Sequence, residues 1–76
     1  MNKKRREQIA KVAEAISGLS LELETLRDEE QEYLDNMPES LQGSEKSQVA
    51  ETAISNLDDA ISSLEEVTST LEEAQA

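Results

Sequence analysis

Apolar residues recur along the first half of the chain in alternating steps of three and four positions. A row with this spacing predicts an α-helix that packs against another helix at a coiled-coil angle. Its apolar members are Ile9, Val12, Ile16, Leu19, Leu23 and Leu26. The same steps continue through Glu30, Tyr33 and Met37, so the pattern indicates one long helix.

The second half repeats a heptad in the segments LDDAISS, LEEVTST and LEEAQA. Its core positions, a and d, are Ile54, Leu57, Ile61, Leu64 and Leu71, with the polar Thr68 at one a position. A third row lies one residue before each a position, at Ala53, Ala60, Val67 and Ala74. Three apolar positions in seven are more than a two-stranded coiled coil needs, and are typical of bundles whose helices contact two neighbours.

Only the stretch DNMPESLQGSEK, residues 35–46, breaks the helical pattern. Pro38 is disfavoured inside a helix and pushes Met37 away from helical geometry. Ser44, which follows Gly43, is a suitable N-cap for a second helix. We therefore predict a single domain over residues 1–76, with helix 1 at about 3–35, a linker at 36–43 and helix 2 at about 44–74. Two helices of similar length with one short link predict an all-α antiparallel hairpin.

A hairpin of 76 residues buries only a small core, and the chain has neither Cys for disulfides nor His for zinc. Oligomerisation is then the expected source of stability. We predict that two hairpins form a four-helix bundle, with a dimer as the simplest assembly. The predicted oligomer core consists of the aliphatic residues of the two a/d rows: Ile9, Val12, Ile16, Leu19, Leu23, Leu26, Ile54, Leu57, Ile61, Leu64 and Leu71.

The net charge of −11 is unevenly distributed. Five of the seven basic residues lie among the first eleven positions, and none follows Lys46. An acidic chain is repelled by the phosphates of duplex DNA, so we expect no binding to duplex DNA. No apolar run is long enough for a bilayer, and the basic start is not followed by the apolar segment of a secretory signal. We expect a cytoplasmic protein without membrane contact.

No enzyme chemistry is expected. Without His or Cys, the usual pairs of nucleophile and base cannot form. The carboxylate pairs at residues 58–59, 65–66 and 72–73 repeat with the heptad and are typical of a solvated face. They lack the inward Glu-x-x-His arrangement of di-iron bundles, and the chain has no glycine-rich phosphate loop. We therefore predict no metal and no cofactor.

Two segments are candidate binding sites. Gly43, Ser44 and Lys46 surround the predicted start of helix 2, where free N–H groups and the helix dipole favour an anion. Glu39 and Glu45 oppose this, and the residues alone favour a simple turn.

The basic tip, Lys3, Lys4, Arg5 and Arg6, has two interpretations. In the first, the tip pairs with carboxylates at the end of helix 2: Glu65, Glu66, Glu72 and Glu73. The first is favoured, because basic residues at a terminus are usually solvated and bind no ligand. In the second, two hairpins pack antiparallel and each tip forms a phosphate clamp with the linker end of the other chain.

The stretch DNMPESLQGSEK, followed by AISNLDDAISSLEE, resembles small, mostly uncharacterised proteins of bacterial phages and prophages. These share an N-M-P-E-x-L-Q-x-S-E linker between two acidic helices, and the resemblance covers residues 35 to about 66. Small accessory phage proteins are often antagonists of host defence, and some oligomeric ones sequester nucleotide signals. By this analogy we expect a nucleotide to bind at Lys3, Lys4, Arg5, Arg6, Tyr33, Asn36, Gly43, Ser44 and Lys46.

Two other functions remain open. The acidic helix 2, with seven acids and no base after Lys46, is suited to a basic host protein, including by mimicry of nucleic acid. Alternatively, the hairpin is a structural oligomeriser with no ligand. From its heptad position, Tyr33 fits the end of the core better than a base-stacking surface.

Overall fold

The computed structural model describes all 76 residues as two long helices joined by a short connection. Helix α1 spans Lys3–Asp35 and helix α2 spans Glu45–Ala74, with a 3-10 turn, Glu39–Leu41, between them. The helices lie antiparallel in a rod of 60 × 14 × 12 Å. The predicted all-α hairpin is confirmed.

Local side-chain hydrogen bonds define where both helices begin. The side chain of Asn2 accepts a hydrogen bond from the backbone N–H of Arg5 at 2.7 Å. Ser44 caps α2 as its position predicts, because its hydroxyl accepts from the N–H of Ser47 at 3.4 Å. The hydroxyl of Ser47 in turn donates to the carbonyl of Ser44 at 2.8 Å. Each cap satisfies a backbone donor that has no partner within the helix.

The connection is held by its own backbone. Pro38 precedes the 3-10 turn, and its carbonyl accepts from the N–H of Leu41 at 2.8 Å. Gly43 has a φ of 80°, a left-handed conformation that favours glycine. Met37 is buried and closes this end of the core, whereas Leu41 is partly exposed. The chain therefore reverses direction within a few residues.

The residues of α2 that face α1 are those predicted from the heptad, from Ile54 to Leu71. Helix α1 differs from the prediction, because its least exposed residues include Ala13 and Ser20 rather than Val12 and Leu19. The row of α1 that faces α2 comprises Ile9, Ala13, Ile16, Ser20, Leu23, Arg27, Glu30, Leu34 and Met37. The predicted row shares five residues with the observed one and differs from it by one position at each residue between them. The shared residues are Ile9, Ile16, Leu23, Glu30 and Met37.

Val12, Leu19 and Leu26 are each more than half exposed. They lie one residue before Ala13, Ser20 and Arg27, so a rotation of about 100° about the helix axis separates the two rows. A single neighbouring helix covers one row only, and the small side chains of Ala13 and Ser20 allow it to approach closely. The place of these three residues in an oligomer core stays a prediction. Neither helix contains an apolar stretch that could cross a bilayer.

Candidate functional site

An open groove lies on one side of the hairpin, next to the connection. Its volume is about 780 Å³, within the range of ligand-binding clefts. Its apolar surface comes from both helices, and comprises Leu26, Tyr33, Val49, Ala50 and Leu57. We call this depression the linker groove. Tyr33 of α1 and Val49 of α2 both line it and are more than half exposed, so neither fills the core.

The linker groove continues over the connection into a second depression of about 420 Å³. Tyr33 and Lys46 line both, and the extension adds Asn36, Met37 and Pro38. Tyr33, Asn36 and Lys46, three of the predicted binding residues, therefore lie around one continuous surface. They are brought together because the reversal of the chain places the start of α2 beside the end of α1.

Tyr33 is 51% exposed, so it is a wall of the groove and does not close the end of the core. The end of the core is closed instead by Leu34, which is partly buried, and by Met37, which is buried. An exposed tyrosine ring can stack on a planar ligand, and its hydroxyl can form a hydrogen bond with one.

Carboxylates also line the groove. Glu29, Glu30 and Glu45 lie along it, and Glu32 lies in its extension, whereas Lys46 is the only cation. The field in the groove of a single chain is therefore negative. A phosphate would need more positive charge than Lys46 supplies.

Gly43 and Ser44 have structural roles at the start of α2 and do not line the groove. The carbonyl of Gly43 accepts a hydrogen bond from the side chain of Gln48 at 3.4 Å, and Ser44 is the helix cap. Glu45 is in the first turn, where its carboxylate already complements the helix dipole. These contacts favour the simple turn for this part of the linker.

The basic tip lies at the opposite end of the rod. Lys3 is thirty residues before Tyr33 in the same helix, a separation of about 45 Å. Arg5 lines a separate depression of about 340 Å³, together with Gln8, Ile9, Val12 and Leu71. In one chain, the predicted phosphate clamp is therefore divided between the two ends.

The expected pairing of the basic tip with the end of α2 is wrong. Both ion pairs of the structure belong to Arg27, and none joins residues 3–6 to Glu65, Glu66, Glu72 or Glu73. These side chains are exposed, where an ion pair gains little and ordering long side chains costs entropy.

The side of the hairpin opposite the linker groove is polar. A shallow depression there is lined by Ser17, Ser20, Glu24, Glu65 and Thr68, with Leu21 at its edge. Arg27 donates to Asp58 at 3.0 Å and to its neighbour Asp28 at 3.2 Å. The hydrogen bond to Asp58, followed by that to Asp28, raises the pKa of Arg27.

Val49 and Leu57 were not among the predicted binding residues. The heptad places Leu57 in the core, and Val49 lies outside every predicted row. Val49 follows Lys46 by three residues, so the two side chains lie on the same helix face. That spacing was the sequence signal for an apolar surface beside the lysine.

Comparisons with protein-family models, with curated proteins and with solved structures find no match to this chain.

Proposed function

We propose that the protein is a non-enzymatic, phage-type binding protein that acts in the host cytoplasm as a homo-oligomer. Its task is to antagonise a host defence system by sequestering a small anionic nucleotide signal. The observation that carries the proposal is the meeting of Tyr33, Asn36 and Lys46 on the linker groove and its extension.

The three side chains suit different parts of a nucleotide. The ring of Tyr33 offers a stacking surface for a base, which is worth about 1–3 kcal/mol in single-stranded nucleic acid binding. The amide of Asn36 both donates and accepts hydrogen bonds, as the edge of a base requires. The ammonium group of Lys46 pairs with a phosphate as a point charge. The apolar wall formed by Leu26 and Val49 excludes water from the base.

Native mass spectrometry of the protein purified from a bacterial host tests the proposal. We expect a ligand of nucleotide mass, bound at one or two copies per oligomer and released by denaturing extraction. A panel of cyclic and linear nucleotides should also raise the melting temperature of the protein prepared without ligand. If no nucleotide is retained and none raises the melting temperature, sequestration is wrong.

Point variants locate the binding surface. Lys46→Glu and Tyr33→Ala should each abolish the rise in melting temperature, since they remove the groove cation and its aromatic wall. Lys11→Glu makes the same change of charge on an exposed residue of α1 outside the groove, and should retain the rise. Equal loss in Lys46→Glu and Lys11→Glu would indicate an effect of net charge alone.

A second candidate function rests on the polar side. Asp58, Glu65 and Glu72 follow each other at heptad spacing on α2, and all three are exposed. Arg27, the only basic residue in an ion pair, is already paired with Asp58. Such a surface favours a basic host protein, including one that binds nucleic acid.

Charge reversal at Glu65, Glu66, Glu72 and Glu73 separates the two functions. If the acidic surface binds a host protein, this variant should lose that protein in capture from host extract, while Tyr33→Ala retains it. A reversed variant that still captures its partner at full strength would contradict this second function.

A further inference from the structure

One side of the hairpin carries an apolar strip that no part of the chain covers. On α1 it consists of Val12, Leu19, Leu26 and Tyr33, which are seven residues apart and each more than half exposed. On α2 it consists of Ala53, Ala60 and Val67, each one residue before a residue that faces α1. In an antiparallel pair, these two rows flank the same side of the contact between the helices. We call this strip the apolar face.

The other side of the hairpin has no such strip. The residues that flank the contact there are polar or acidic, among them Ser17, Glu24, Asp58 and Glu65. The linker groove, with Leu26 and Tyr33, lies at one end of the apolar face, and the depression that contains Val12 and Arg5 lies at the other. The apolar residues are therefore concentrated on one side along most of the length of the rod.

The hairpin exposes more surface than a compact monomer of the same mass. The accessible surface is 5627 Å². A compact monomer of the same mass exposes about 4,600 Å², which leaves an excess of about 1,000 Å². The radius of gyration is 17.4 Å, against about 11 Å for a compact domain of this length. Each partner in a stable protein–protein interface buries about 800 Å² of its surface, so the excess area is large enough for one such interface.

The geometry points to a second copy of this chain as the occupant of the apolar face, with the two hairpins antiparallel to each other. An identical rod matches the strip in length, since Val12 and Tyr33 are about 32 Å apart along α1. In this arrangement, Arg5 of each chain reaches the linker groove of the other.

The charge distribution determines the orientation. The segment from residue 28 to residue 46 contains seven acids and one lysine, whereas the first eleven residues contain five bases and one acid. Hairpins paired with like ends together would bring two acidic segments side by side. The antiparallel arrangement instead sets each basic tip against an acidic linker end, which is electrostatically complementary.

The spacing of the strip gives the register. The two-fold axis passes between Leu19 and Leu26, so Leu19 packs beside the partner's Leu26 and Val12 beside the partner's Tyr33. Arg5 is one heptad before Val12 and lines the same depression, so it falls beside the partner's connection. On α2, the small side chains of Ala53 and Ala60 let the second pair of helices approach closely.

This arrangement completes the proposed binding site, a step that rests on the proposed function. The linker groove of one chain has Lys46 alone against several carboxylates. Arg5 from the second copy adds a planar guanidinium, which pairs with phosphate through two parallel hydrogen bonds. Each dimer then contains two equal sites, and neither is complete in a single chain.

Mass measurement tests the assembly. By analytical ultracentrifugation we expect twice the 8.4 kDa mass of the chain. Leu26→Glu should give the monomer mass, because it places a charge on the apolar face. Leu21→Glu is the matched control, since Leu21 is 64% exposed but lies on the polar side, and it should remain dimeric. A monomeric wild type, or the same mass for both variants, would overturn the inference.

A second measurement remains decisive if Leu26→Glu fails to fold. The melting temperature of the wild-type protein should rise with protein concentration, because association stabilises only the folded chain. A melting temperature independent of concentration would contradict a dimer. Circular dichroism on each variant shows whether its helices are retained.

Cross-linking tests the orientation, and the absence of native cysteine makes it direct. Gln8 and Asn36 are about 42 Å apart along α1, so a short linker cannot join them within one chain. Chains with Gln8→Cys mixed with chains with Asn36→Cys should cross-link through a short bismaleimide. Self-links within the Gln8→Cys protein, without mixed links, would overturn the antiparallel arrangement.

The role of Arg5 has its own readout. Arg5→Gln should leave the dimer mass unchanged and weaken binding of the nucleotide found by native mass spectrometry by about tenfold. Lys4→Gln removes a neighbouring charge of the basic tip outside the apolar face and should have a smaller effect. Equal affinity of Arg5→Gln and wild type would overturn the shared site. A dimer that binds no nucleotide would contradict the proposed function and leave the assembly intact.

Discussion

Arg27 of α1 donates a hydrogen bond from Nη1 to Oδ1 of Asp58 in α2 over 3.0 Å, in the only ion pair that joins the two helices. The guanidinium also contacts Asp28 of its own helix, so its position is set from both sides. Both groups are accessible to solvent, and such pairs contribute little to stability. The positions of the two residues along their helices nevertheless mark the register in which α1 and α2 meet.

Reversal of one charge in this pair should lower the melting temperature slightly. Asp58→Arg sets two guanidinium groups side by side, and the double variant with Arg27→Asp should recover most of the loss. Thermal unfolding followed by circular dichroism, at one protein concentration, measures both. An equal melting temperature for the single and the double variant would show that the pair has no part in the register.

The pKa of Arg27 also makes a prediction about pH. The pKa of Arg27 is higher in the folded chain than in the unfolded chain. The ion pair therefore contributes fully to stability at every pH below the pKa of the unfolded chain, and this contribution declines only in the strongly alkaline range. The difference in stability between wild type and Arg27→Gln should therefore be the same at pH 7 and pH 9. Urea titration at the two pH values tests this, and a difference that shrinks by pH 9 would contradict it.

The two glycines should respond to alanine with opposite signs. Gly18 lies within α1 with open space where a Cβ would be, so Gly18→Ala should stabilise the protein by about 1 kcal/mol. Gly43 has a φ of 80°, so Gly43→Ala should destabilise it by about 1–2 kcal/mol. Urea denaturation at equal protein concentration measures both. Changes of the same sign would mean that the backbone of one glycine differs from that described.

Ile61 is the largest apolar side chain in α2 that is almost fully buried, with 4% of its surface exposed. Ile61→Ala should cost about 2–5 kcal/mol, because it removes buried methyl groups and leaves a cavity between the helices. Val49→Ala is the control on the same helix. Val49 is 63% exposed, and its truncation should change the free energy of unfolding by less than about 1 kcal/mol.

The cap of α2 is a further test of the connection. Ser44→Ala removes the acceptor of the Ser47 N–H and should cost roughly 0.5–1 kcal/mol. Ser40→Ala, in the exposed 3-10 turn, should be close to neutral. If the two variants unfold at the same urea concentration, the side chain of Ser44 does not stabilise α2.

The sequence determines much of this architecture because the signals that end and begin helices are local. Pro38 acts through its ring, Gly43 through its φ and Ser44 through a hydrogen bond three residues away. None of these depends on a distant contact. The periodicity of α2 likewise predicted the row that faces α1, since that helix has one strongly apolar stripe. The convergence of Tyr33 and Lys46 then follows from the position of the turn.

Which row of α1 faces α2 depends on how the two helices pack, and the sequence pattern does not show it. Val12 and Leu19 are more apolar than Ala13 and Ser20, so hydrophobicity alone favoured the wrong row within the hairpin. The two rows share every second member, from Ile9 to Met37, and their other members are adjacent residues, about 100° apart around the helix. The geometry of two packed helices selects the row whose small side chains permit close approach, and it turns the larger residues outward. A periodic pattern of apolar residues indicates which positions are buried in the final assembly. It does not indicate whether a helix of the same chain or of another chain buries them.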